Sequence, residues 1–85
     1  MTTRTEIETW FDTGAQNGKK NMLIICDKFD HEDYPVCTLT AAECMAKYNY
    51  PGEMQRVMEV YDLTADKAQQ MKEMRTMRLP DNGAK

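Results

Sequence analysis

The chain has 85 residues, 29% of them charged and 41% hydrophobic, with 11 basic against 14 acidic side chains and a net charge of −3. That length supports one domain, which hides only about two-thirds of its unfolded surface, so nearly every large apolar side chain is needed for folding. The charges are interspersed without a basic run, which argues against direct binding of DNA or RNA, and −3 is too sparse for a nucleic-acid mimic.

Thr3 and Glu6 have the spacing of a capping box, and behind them Ile7, Trp10, Phe11 and Ala15 recur at helical intervals. Gly14 and Gly18 weaken and then end the pattern, so the first helix is expected over about Thr3 to Gln16. Met22-Leu23-Ile24-Ile25-Cys26 is a short continuous apolar run between Asn21 and Asp27, the pattern of a strand buried on both faces. It is also the longest apolar run, far short of the roughly 20 residues of a membrane span.

The polar segment Asp27 to Asp33, broken by Phe29, leads into a second strand over Pro35 to Leu39. So short a connection favours an antiparallel hairpin, centred near His31, with Pro35 at the start of its strand or on an edge. Thr40 and Glu43 repeat the capping box and open a helix over Ala41 to Tyr48, stopped by Asn49 and the Tyr50-Pro51-Gly52 turn. Met54 to Leu63 reads as a third strand, with a helix as the rival. Thr64 and Asp66 then start a third helix to about Arg78, with Ala68, Met71 and Met74 or Met77 inward.

The expected fold is α+β, in the order α-β-β-α-β-α: a small three-stranded mixed sheet packed by three helices. The second and third strands would lie parallel through a right-handed crossover, with Trp10, Phe11, Met45 and Met71 packed down on the sheet. Residues 1–79 form the domain and 80–85 a flexible tail.

The segment Asp27 to Asp33 is the most suggestive for chemistry, holding four carboxylates and the single histidine. Asp27, Asp30, His31 and Asp33 could ligate a cation, but the spacing is not that of a calcium loop, and aspartates capping turn amides are the commoner meaning. Cys26, Cys37 and Cys44 with His31 have the count of a structural zinc site without its paired-cysteine spacing. Free thiols are the simpler expectation, Cys26 and Cys37 lying roughly opposite each other across the hairpin. A thiol enzyme needs an oriented base, and no nucleophile, phosphate-loop or dinucleotide motif occurs. No catalytic residue, no metal and no cofactor are therefore expected. Eight methionines suit either a small core or an adaptable binding face; Met74 or Met77 beside Arg75 and Arg78 would make the third helix a docking surface.

Three segments carry a resemblance: Thr9-Trp10-Phe11-Asp12-Thr13-Gly14, Cys26 to Val36, and Met54 to Leu63. Over about Glu6 to Arg78 the chain resembles a family of small uncharacterised proteins carried by bacteriophages and prophage-like elements. The resemblance transfers no catalytic residue. It implies an accessory protein of the host bacterial cytoplasm that acts by binding a host or phage protein, with inhibition of a host defence complex, in the manner of an anti-CRISPR protein, as the expected role. The expected binding residues are Asp30, His31, Glu32, Asp33 and Tyr34 of the acidic loop, with Arg75 and Arg78. The alternatives are a metal-binding module on that loop and a small homo-oligomer whose thin core a second copy completes.

Overall fold

The structure, a computed structural model, describes residues 3–73 and 76–79. Its elements follow the order α-β-β-α-β-α: α1 Arg4–Gln16, β1 Asn21–Asp27, β2 Glu32–Thr38, α2 Ala41–Asn49, β3 Gln55–Asp62 and α3 Lys67–Lys72. Both capping boxes form: the Thr3 and Thr40 hydroxyls accept from the Glu6 and Glu43 amides, and each glutamate reaches back to its cap residue. Two orphan amides are satisfied at each helix start, which fixes where α1 and α2 begin.

The sheet has the order β2-β1-β3, with β1 central and antiparallel to both neighbours. The mixed sheet expected from the sequence is thus corrected. β2 and β3 do run in the same direction, joined through α2, but β1 lies between them. The only parallel pairing among the described residues is a single bridge, Val60 to Met77, beyond the outer edge of β3.

β1 is buried on both faces, as its unbroken apolar run requires. On one face Met22 and Ile24 join Ile7 and Phe11 of α1 with Tyr61 and Leu63, against which Trp10, Cys37, Met58 and Met71 pack. On the other, Leu23 and Ile25 join Cys44 of α2 and Val60, with Tyr34, Val36, Tyr48 and Val57 around them. The sheet is therefore a middle layer, with α1 and α3 on one side and α2 on the other. Trp10, Phe11 and Met71 lie on the sheet as expected, whereas Met45 is half-buried on the opposite helix and belongs to neither cluster. Each fully buried apolar side chain contributes about 1.5–3 kcal/mol, so β1 alone supplies a large share of the core.

Gly14 is a packing residue. A Cβ there would meet Cys37 Sγ at 2.8 Å and Leu63 Cδ1 at 3.0 Å, so its absence lets α1 settle onto the sheet.

The third helix is much shorter than the expected Thr64 to Arg78. It ends at Lys72, and residues 76–79 run extended beside β3, with the Val60 amide donating to the Thr76 carbonyl (2.8 Å) and the Arg78 amide to the Val60 carbonyl (2.8 Å). Gln70, fully buried, closes the next position. Its Oε1 accepts from the Asp62 amide (2.8 Å) and its Nε2 donates to the Asp62 carbonyl (2.9 Å). A side-chain amide here imitates a neighbouring strand, and β3 gains an edge sealed at Val60 and Asp62. No helix among the described residues is long and apolar enough to cross a membrane.

Candidate functional site

The β1–β2 register pairs Asp27 with Glu32, so the hairpin turns over residues 28–31 and its centre falls between Phe29 and Asp30. Asp27 Oδ1 accepts from the Phe29 amide (2.8 Å) and Asp30 Oδ1 from the Glu32 amide (3.0 Å). His31 has φ 61°, the left-handed turn conformation. These are side-chain turns that satisfy backbone donors, which is why aspartate is favoured there.

The expected set Asp30, His31, Glu32, Asp33 and Tyr34 is split by this geometry. Asp30 and His31 stand exposed in the turn and Glu32, also exposed, opens β2, in which Asp33 and Tyr34 follow and alternate across the strand. Tyr34 packs against the α2 side of the core. Asp33 lines a groove of about 220 Å³ with Arg4, Ile7, Ile24, Met58 and Glu59 on the α1 side.

Arg78 lies elsewhere, beside Val60 on the outer edge of β3, four residue steps from Asp27 along the sheet, about 13 Å. Its guanidinium is engaged with Glu73 at 2.7 Å, and each ion favours the charged form of the other, Glu73 falling below the usual carboxylate range. Arg75 falls outside the described residues, as does Met74. The structure therefore places Arg78 away from the hairpin tip and on a short extended segment, not on a helical docking face.

The alternative cation site does not assemble. Among the described residues no three histidine, cysteine or carboxylate groups converge as metal ligands, and Asp27 and Asp30 each spend an oxygen on the turn. The cysteines are also apart. Cys26 pairs with Asp33 and Cys37 with Met22, so the two are not opposite each other, because the hairpin centre lies ahead of His31. Cys37 packs on the α1 face and Cys44 on the α2 face. All three are free thiols raised above their ordinary value, first by burial; the Asp33 carboxylate adds to this at Cys26, and the Thr38 hydroxyl opposes it at Cys44. Thiols held protonated are weak nucleophiles.

The sheet end that carries the hairpin tip also receives the loop between α2 and β3, because Asp27 pairs with Gln55 as well as with Glu32. The two loops are tied together by the Lys28 amide, which donates to the Met54 carbonyl at 2.6 Å. Three large apolar side chains project from them: Phe29 is 83% exposed, Tyr50 83% and Met54 55%. Met54, like His31, has positive φ (62°), an uncommon state for such a side chain. Lys47 steadies the second loop by donating to the Pro51 carbonyl at 3.2 Å. From Tyr50 a shallow groove of about 540 Å³ runs between α2 and β2, lined by Val36, Cys37, Thr38 and Ala46 with Lys19, Glu43 and Lys47 as its charged residues.

Sequence reading singled out the acidic tip but missed its apolar neighbours. Phe29 was visible as the one aromatic in a charged loop. Tyr50 and Met54 carried no comparable mark, since it is the pairing of Gln55 with Asp27 that brings their loop to this end. Against this chain, no family model, curated protein or solved structure gives a match.

Proposed function

We propose that this chain is a binding module that docks a partner protein at the loop end of its sheet, with Phe29, Tyr50 and Met54 as apolar anchors and Asp30, His31 and Glu32 around them. The observation that carries this reading is that three exposed large apolar side chains stand on two loops joined by a backbone hydrogen bond at one end of the sheet. Single exposed apolar residues are ordinary on protein surfaces, but several large ones carried by two adjoining loops with polar groups between them have the composition of an interaction site. Aromatic residues dominate interface energetics because they bury a large rigid area for little conformational entropy.

The resemblance in sequence supplies the setting of the proposal: a phage- or mobile-element-encoded accessory protein, with a bacterial host protein, in a defence complex, as its target. The test is affinity capture from bacterial lysate with the tagged chain beside Phe29→Ala/Tyr50→Ala, whose side chains support nothing in the core. Recovery of one protein in near-stoichiometric amount, lost with the double variant, is the expected result. Recovery unchanged by the variant would move the docking face elsewhere, and no recovery would end the reading.

A further inference from the structure

We infer that the partner presents a basic protein surface to the loop end, with a pocket for Phe29; this rests on the proposed docking reading and names the chemistry of its partner. The two loop segments with the strand ends they join, residues 27–33 and 50–56, contain Asp27, Asp30, Glu32, Asp33 and Glu53 against only Lys28 and Arg56. That excess equals the whole formal net charge of the chain, −3, so the remainder of the molecule is balanced. Lys47 and, at the opposite end of the sheet, Lys19 line with Glu43 the groove that leads away from Tyr50.

The carboxylates do not stabilise the fold by pairing. None of the ion pairs among the described residues involves Asp27, Asp30, Glu32, Asp33 or Glu53. Asp27 and Asp30 stand in the same turn as Phe29, whose side chain is left in water, and Glu32 follows at the start of β2. A surface of this sign repels nucleic acid, anionic lipid and the same end of a second copy, since each brings like charge. It attracts a basic protein surface, which both neutralises the carboxylates and buries the aromatic. The division of labour follows: the carboxylates steer encounter and set the association rate, and Phe29 sets residence.

The test starts from bacterial lysate divided on ion exchangers into basic and acidic protein fractions, treated with nuclease and offered to the immobilised chain. The expected result is a stoichiometric protein from the basic fraction, released by salt and lost with Glu32→Lys/Glu53→Lys, a pair of exposed substitutions that leaves the Asp27 and Asp30 turns intact. Surface plasmon resonance on that protein should then show association at least about tenfold slower for the charge reversal. For Phe29→Ala it should show dissociation roughly 30-fold faster with association little changed. A partner recovered only from the acidic fraction, or one whose association ignores salt and the reversal, overturns the inference while leaving the docking reading standing. No recovery from either fraction, or a concentration-dependent dimer of the chain alone abolished by Phe29→Ala, overturns both.

Discussion

Replacing Gln70 by leucine, close to it in volume, isolates what its side-chain amide does. In the native chain Gln70 meets the outward-facing N–H and C=O of Asp62 and also donates to the Asp66 carbonyl (3.2 Å). Both carbonyls keep another donor, Ala65 for Asp62 and the Gln70 backbone amide for Asp66. The Asp62 amide has no substitute. Leaving it unpaired costs about 1–3 kcal/mol, and loss of the two carbonyl bonds adds about 1 kcal/mol together. Apolar burial of the leucine returns about 1 kcal/mol, so the net destabilisation is about 2 kcal/mol. In a domain of this size that lowers Tm by about 10 °C. Urea denaturation gives the free energy, with the m-value checking that both end states are preserved. Gln70→Glu sharpens the test: its ionised carboxylate accepts from Asp62 but cannot donate to either carbonyl, whereas its protonated form accepts and also has one O–H to donate to one of them. Folding therefore raises the pKa of this group, so that variant should be stable below the carboxylate range and lose stability as pH rises through it. A leucine variant within about 0.5 kcal/mol of the parent, with unchanged m, would refute the view that Gln70 completes the edge of β3.

Tyr61 makes a second measurable contribution. Its hydroxyl lies between Arg4 (2.7 Å) and Glu59, and burial, with the carboxylate beside it, pushes its pKa up to about 12. Because the folded value exceeds the unfolded one of about 10, the stability it contributes is complete below pH 10 and is lost as pH rises toward 12. Tyr61→Phe should flatten that part of the stability–pH profile by on the order of 2 kcal/mol, read by urea melts at pH 9 and 11.5; parallel profiles would count against the assignment. Gly14→Ala should destabilise by about 1–3 kcal/mol despite alanine's better helix propensity, because the new methyl meets Cys37 Sγ at 2.8 Å. Adding Cys37→Ala should recover part of that loss, and strict additivity in the double-mutant cycle would show that the contact is not the cause.

The parts of the fold that were legible in the sequence are those decided locally. Thr3 with Glu6 and Thr40 with Glu43 state where two helices begin, because their hydrogen bonds span three residues and need nothing else. Met22 to Cys26 declares a strand covered on both sides, because no polar residue interrupts it. What the sequence hid is decided across the chain. Met71, Met74 and Met77 sit three apart and continue a helical pattern, yet the chain leaves the helix after Lys72. Val60 needs partners for its outward N–H and C=O, and Thr76 and Arg78 supply them; the Thr76 hydroxyl also donates to the Gln70 carbonyl (2.9 Å). Such edge pairing is a tertiary demand that no window of residues displays.

The site shows the same division. The carboxylates of Asp27 to Asp33 marked a loop, but the turn centre followed from which aspartates accept which amides, and it moved the partner of Cys37 to Met22. An exposed Met54 and a half-buried Met58 cannot be told apart by type, since methionine serves both places.

The two sheet edges help decide how a partner would bind. Val60 turns its N–H and C=O out to Thr76 and Arg78, so its neighbours Glu59 and Tyr61 turn inward to Ile24 and Met22. That leaves Leu23 and Ile25 facing β2, and their partners Val36 and Tyr34 facing back. The backbone groups of Asp33, Pro35 and Cys37 are therefore the ones that face away from the sheet. Pro35 has no N–H, so the outward row loses a donor at its middle residue, while its pairing with Ile24 loses nothing. With β3 sealed at Val60 and Asp62 by the chain itself, and β2 interrupted by Pro35, neither edge offers an incoming strand a continuous ladder there. Strand addition would therefore be interrupted at Pro35 and blocked at Val60 and Asp62, which is consistent with the proposed docking through side chains of the loop end.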